Sequence, residues 1–185
     1  MRKQKGFSLI ELLIVVAIIL IIAAIAIPNL IRAKISANQA SAASAIRTIG
    51  TAQVQYQSNY PTIGYAKTEI TLGTGTASNP PTVCATTGAT SAGACLIDGV
   101  LTAARATLPK SGYYIDTTGT ATTGTVDDVY ESEAGPSNFD HTGVNAYCGV
   151  EDGVVRANTS NAASGLPALG HDGCNTSKTF LPMNN

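Results

Sequence analysis

The chain has 185 residues, 44% of them apolar and only 12% charged, with no Trp and a formal net charge of −1. That balance, with an isoelectric point near 6.1, argues against a phosphate-binding surface, because neutralising several phosphates takes a concentrated Lys/Arg patch. The length accommodates one ordinary domain of roughly 100 to 150 residues plus an apolar segment, without a second independent domain.

The apolar residues are unevenly placed. Residues 12–27, LLIVVAIILIIAAIAI, are sixteen consecutive apolar positions, and the first 47 residues contain no Thr while the remaining 138 hold all 23. Two different solvents have selected the two parts. From Phe7 to Ile31 there are 25 residues with one charge, Glu11. A helix of that length covers about 37 Å, enough to cross a hydrocarbon core of about 30 Å. Arg2, Lys3 and Lys5 precede it. Basic residues favour the cytoplasmic side, so the predicted orientation places the N-terminus inside and everything after about residue 30 outside the cytoplasm.

A secretory signal peptide would share the basic start, and Ala24-Ile25-Ala26 offers a small-residue cleavage site. Glu11 counts against it, since a carboxylate toward mid-bilayer costs on the order of 2 to 3 kcal/mol, less near the end of the span. The helical character also continues without a break into residues 31–58. The run Lys5-Gly6-Phe7-Ser8-Leu9-Ile10-Glu11-Leu12-Leu13-Ile14-Val15-Val16, followed by Ile25-Ala26-Ile27-Pro28, resembles the class III signal and N-terminal helix of type IV prepilins and the related type II secretion pseudopilins. The resemblance is dense over about the first 30 residues. It implies a pilin fold, α+β in class, in which a long N-terminal helix with a membrane-spanning first half packs on a small antiparallel sheet. It also implies a leader of residues 1–6. A membrane-embedded prepilin peptidase would cut between Gly6 and Phe7, and the new Phe7 amino group would be N-methylated. A glycine suits position 6, where a side chain would obstruct the approach of aspartyl carboxylates to the scissile carbonyl.

An acid in the first turns of a helix is favoured by the positive dipole end by up to about 1 kcal/mol. That explains tolerance of Glu11 but hardly its placement in an apolar face, because a buried carboxylate is normally paired. The resemblance implies the partner: the Phe7 α-ammonium of a neighbouring subunit, which would neutralise both charges and set the axial register of a filament. Pro28 lacks a backbone donor and clashes with the carbonyl of residue 24, so a kink or loosening is expected around residues 20–28. In resembling filaments this stretch loses regular helix during assembly, which lengthens the subunit.

Beyond Pro28, residues 31–58 contain no Pro and one Gly. Ile35, Ala42, Ile49 and Tyr56 recur every seven positions, with Ile46 between them, forming one apolar stripe. This amphipathic half should lay the stripe against a head domain, and with the membrane half it would make a rod of roughly 78 Å. Asn59-Tyr60-Pro61 should end it. A coiled-coil dimer is the competing reading of the stripe, disfavoured by its small Ala positions.

From residue 59 to 185 the composition shifts to Thr, Gly, Ser, Asn and Pro, which favours turns and short strands. Residues 73–94 read as a surface loop. Cys95 to Arg105 reads as a short helix with Leu96, Ile97, Val100, Leu101 and Ala104 on one face. Strands are expected at 112–118, 124–131, 144–150 and 154–158, with Glu151-Asp152-Gly153 as a tight hairpin between the last two. Three or four antiparallel strands packed on the helix stripe would bury both apolar faces. Cys95-Leu96-Ile97-Asp98, Lys110-Ser111-Gly112-Tyr113-Tyr114 and Gly153-Val154-Val155-Arg156 resemble, more weakly, the head of a group of bacterial pilin-like proteins. This chain departs from them by extra Thr/Gly-rich residues. Four cysteines in an exported chain suggest two disulfides among three possible pairings. Cys84 with Cys95 and Cys148 with Cys174 is the favoured one, and each bridge would contribute about 3 kcal/mol. Zinc competes poorly, for no Cys-x-x-Cys spacing occurs.

No nucleophile elbow, phosphate-cradling loop or His-Glu-x-x-His is present, and no cofactor or metal is expected. His141 and His171, each beside an Asp, read as solvated loop histidines. Asp127, Asp128, Glu131, Glu133 and Asp140 lack an EF-hand spacing and read as a solvated acidic loop rather than a Ca²⁺ site. Asn158-Thr-Ser and Asn175-Thr-Ser have the form of glycosylation sequons. The expectation is therefore a structural protein and not an enzyme. It would be a major pilin held in the inner membrane, trimmed by prepilin peptidase and polymerised with itself by the pilus assembly machinery into an extracellular filament for adhesion or motility. No specific nucleic-acid site is evident. A pseudopilin of a periplasmic pseudopilus is the first alternative, and a membrane-anchored extracytoplasmic binding module the second. Cleavage would remove three of the eleven basic residues, leaving eight against twelve acidic ones. The near-neutral total conceals a basic address on an acidic product.

Overall fold

The computed structural model describes residues 7–74, 84, 88–104, 108–159, 163–167, 170–176 and 179–183. The leader 1–6, most of the loop 73–94 and Arg105 therefore lie outside the described residues. Helix α1 spans Leu9–Asn59, 51 residues, and stops immediately before Tyr60-Pro61. The chain divides into two compact units at the Lys34–Ile35 junction.

In the first unit α1 buries nothing. Its large apolar side chains from Phe7 to Ile31 are between 46% and 79% exposed. The most apolar 18-residue window has a mean hydropathy of 3.3, long and apolar enough to cross a membrane. A helix suits such a segment because it satisfies its backbone groups internally where the surroundings cannot.

In the second unit α1 is amphipathic. Ala42, Ala43, Ala45, Ile46, Ile49, Ala52, Gln53 and Tyr56 are buried, and Ile35, expected on the same stripe, is half-buried. The alanines let the helix lie close to the sheet. Its apolar residues join Tyr113, Ile115, Ala134, Tyr147 and Val155 in one core. The sheet is an antiparallel meander of five strands in sequence order: β1 Tyr113–Thr120, β2 Val129–Pro136, β3 Ala146–Val150, β4 Arg156–Asn158 and β5 Leu181–Pro182. Tyr114 pairs with Gly135, Glu133 with Cys148, Cys148 with Arg156, and Ala157 with Leu181.

Strand β1 alternates between buried and more open positions, as a strand with one face on a core should. All five residues of β3 are buried, because the sheet is covered twice. Tyr147 faces α1, whereas Ala146, Cys148 and Val150 form a second core with Cys174 and Phe180. That second cover comes from the C-terminal segment, whose helix (Gly170–Thr176) packs on β2 and β3. Gly135 permits the approach: a Cβ there would sit 1.8 Å from the Gly165 carbonyl oxygen, and Gly165 N–H donates to the Pro136 carbonyl at 2.8 Å.

Several expected elements shift. Strand β2 begins at Val129 rather than Gly124, running through the acidic residues. The helix expected over Cys95 to Arg105 is one turn, Gly99–Thr102, and begins where it does because the Asp98 carboxylate accepts from Leu101 N–H at 2.6 Å. Cys95, at φ 58°, is in the left-handed region and outside any helix, and Val100 turns to solvent at 51% exposure. A further turn at Glu69–Leu72, capped by Thr68, has no counterpart among the expected elements. Numbered in chain order, the helices are α1, α2 (Glu69–Leu72), α3 (Gly99–Thr102) and α4 (Gly170–Thr176).

Candidate functional site

The start of α1 is a capped helix terminus. Ser8 N–H donates to Glu11 Oε2 at 2.9 Å, and Leu12 N–H donates to the Ser8 carbonyl at 3.2 Å. Glu11 thus serves as the acidic half of a Ser-x-x-Glu capping arrangement and satisfies a donor that the helix leaves orphaned. The motif Ser8-Leu9-Ile10-Glu11 carries this signal, although reading Glu11 through the helix dipole alone overlooks it. Oε1 has no hydrogen-bond partner among the described residues, which leaves one carboxylate oxygen directed to nothing in its own chain. Phe7 lies one residue before the cap, 76% exposed. Gly6 is outside the described residues.

Pro28 sits inside α1, which stays helical through residues 20–28, the stretch where loosening is expected. Pro28 has no N–H, so the Ala24 carbonyl lacks its regular partner. One residue on, Asn29 Nδ2 donates to the Ile25 carbonyl at 3.1 Å.

In the head, Cys84 is bonded to Cys95 across 11 residues, and Cys148 to Cys174 across 26. The second bridge ties α4 to β3. Gln53 is a structural residue that the stripe does not reveal. Fully buried on α1, it accepts from Ala66 N–H at 2.8 Å and donates to the Ala66 carbonyl at 3.0 Å and to Thr117 Oγ1 at 3.1 Å. It thereby stitches the helix to the chain after it and to β1. No local pattern flags it, because its partners lie 13 and 64 residues away.

The acidic residues do not form one solvated loop. Asp127 is buried, with Lys67 Nζ at 3.9 Å. The exposed Asp128 accepts from Thr122, which lowers its pKa. Asp140 sits in a turn at φ 64°, and Glu131 and Glu133 are within β2. Burial, then the neighbouring Glu133, pushes Glu131 up to about 7, with Asp116 adding to the rise and His171 opposing it. Nor is His171 a solvated loop residue. It lies on α4, with Nε2 2.8 and 2.9 Å from the two Glu151 oxygens. Burial disfavours its charged form, but Glu151 and Asp172 outweigh burial and raise its pKa. His141 is exposed. Arg156 closes the β3–β4 turn on Asp152 and reaches Asn175 Oδ1 at 3.5 Å. Among the described residues no group of three or more His, Cys, Asp or Glu could hold a metal ion. An open cleft of about 350 Å³ lies between α1 and the β3–β4 turn, with Arg47, Tyr130 and Glu151 among its walls.

Residues 1–27 match the prokaryotic N-terminal methylation motif. The chain is similar to the type IV wide pilus major component PilA4 of Thermus thermophilus, 66% identical over 38 residues, which are 20% of this chain and 29% of that protein. It is also similar to the type IV major pilin protein PilA of Myxococcus xanthus, 48% identical over 54 residues, 29% of this chain and 24% of that protein. The matches thus span under a third of either relative. No solved structure matches.

Proposed function

Starting from a chain whose N-terminus carries the type IV prepilin methylation motif, we propose that it is a structural subunit, and not an enzyme: the major pilin of a type IV pilus. One observation carries the reading. A single helix holds a 25-residue apolar segment with no intramolecular cover, followed by a half that is packed into a disulfide-bonded head. Such a segment needs one apolar surrounding before assembly, the inner membrane, and another afterwards, copies of itself.

Prepilin peptidase would release Phe7 by cutting after Gly6, N-methylation would follow, and the assembly machinery would extract the helix into a filament. The new ammonium on Phe7 and the uncommitted Oε1 of Glu11 supply opposite charges for a contact between neighbours. At about 4 Å and an effective dielectric constant of about 20, their attraction is about 4 kcal/mol. An unpaired carboxylate in the same apolar core would oppose assembly. The Ser8 cap holds the Glu11 carboxylate at the helix end in advance, so little side-chain entropy remains to be lost on pairing. Pro28, where the helix already lacks one donor, is the place for the subunit to extend. The orientation follows from Arg2, Lys3 and Lys5: N-terminus cytoplasmic, head outside, and finally an extracellular filament serving adhesion or motility.

Electron microscopy of sheared surface material, with mass spectrometry of its subunit, tests the reading. The expected result is filaments whose protein begins at N-methylated Phe7. A mature chain that retains Met1 would overturn it. A correctly trimmed chain confined to the periplasm would instead identify a pseudopilin.

A further inference from the structure

The C-terminal cover on the outer face of the sheet is held by groups that need protons. Helix α4 packs on β2 and β3, with Cys174 bonded to Cys148 beneath it. Its His171 faces Glu151 through Nε2 at 2.8 Å and Asp172 through Nδ1 at 3.4 Å. An imidazolium donates from both nitrogens, whereas the neutral ring has one donor and turns a lone pair toward the other carboxylate. On β2, Glu131 keeps Oε2 buried without a hydrogen-bond partner among the described residues. An oxygen so placed is far better tolerated in the neutral acid than in the anion.

The surroundings act in the same direction. Glu133 lies two residues along β2 from Glu131, on the same face, and Asp116 lies directly across from Glu133 on β1. Ionising Glu131 therefore adds a negative charge to a face that already carries two. Asp116 and Glu133 each have further interactions of their own. Around His171 stand Glu151 and Asp152 from the β3–β4 turn, Glu131 from β2, Asp128 from the β1–β2 connection and Asp172 from α4 itself. Arg156 on β4 is committed to Asp152 and Asn175.

We propose that His171 and Glu131 together form a proton-operated latch, which holds α4 on β2 and β3 in mild acid and loosens it as the pH rises, while the Cys148–Cys174 bridge keeps it tethered. Both groups bind protons more tightly with the cover in place. Glu131 moves from an ordinary 4.5 to about 7, so its contribution is complete below pH 4.5 and lost as the pH rises to about 7. His171 is raised above 6.5, so its contribution is complete below that value and lost as the pH climbs through the raised one. Asp152 works the other way. Burial opposes its charge, Arg156 outweighs burial, and the depressed pKa removes stability only in strong acid, below 3.8. The cover is thus tightest in mild acid.

Hydrogen–deuterium exchange of the full chain in detergent, from about pH 5 to about pH 8.5 and corrected for intrinsic exchange, tests the latch. Protection over 170–176 should fall about tenfold across that range, the effect of a one-unit shift, while protection of β3 stays level. Glu131→Gln, which cannot ionise, should shrink the fall. His171→Gln should bring protection at about pH 5 down toward the wild-type value at about pH 8.5. Nonreducing peptide mapping verifies that each variant keeps the Cys148–Cys174 bridge. Protection that varies less than about twofold across the range, or a full tenfold fall retained in both variants, would overturn the proposal.

Discussion

Helix α1 uses one backbone conformation for two opposite tasks. Before Lys34 its large apolar side chains all point to the surroundings, and after Ile35 the buried set is confined to one stripe. The first half has no periodicity because lipid and neighbouring helices would surround it on every side. The second half is periodic because a sheet lies against only one of its faces. Continuous helical structure therefore says nothing about continuous solvent. A residue's cost of substitution should depend on which half it occupies.

That contrast can be broken experimentally, beginning with the largest effect. Glu11→Ala should reduce filament yield at least about tenfold while leaving membrane insertion unchanged, since removing one partner of a buried pair costs about 3 to 5 kcal/mol at each contact. Normal yield in shearing assays would remove Glu11 from assembly. Ile49→Ala, at a site with no exposure, should destabilise the head by about 3 kcal/mol in urea denaturation of the detergent-solubilised chain. Gln53→Ala strands the Ala66 N–H and carbonyl groups that it serves, and should cost about 2 kcal/mol in the same measurement. Ile19→Ala, in the exposed half, should change head stability by less than about 0.5 kcal/mol. If Ile19→Ala cost as much as Ile49→Ala, the two halves would not be energetically separate.

The same contrast explains what the sequence discloses. The apolar run and the stripe at Ala42, Ile46, Ile49 and Tyr56 are local patterns, and α1 follows them to its end at Asn59. Strand β2 is obscured because Glu131, Ser132, Glu133 and Gly135 are poor strand formers. Its conformation is imposed by pairing with β1 and β3. Strand β3 shows no alternation, since the second cover comes from residues far along the chain. His171 looks solvated in sequence because Glu151 lies 20 residues away. Ser8 and Glu11 stand at the opposite extreme, a three-residue spacing that was fully legible as a cap. What Glu11 does beyond its own chain is not written in that spacing.

The ends of the sheet bear on how many heads could live side by side. Strand β5 is only two residues long and finishes in Pro182, which offers no backbone donor. On the other margin, the Ile115 N–H is already taken by the Ala104 carbonyl at 2.6 Å. Neither margin presents a long free ladder to another copy. In the proposed filament, where heads would be crowded at very high local concentration, strand-to-strand zippering would compete with ordered growth. Blunted margins suppress that competitor, so the geometry of the polymer would be dictated by its helices, and subunits could detach as cleanly as they add.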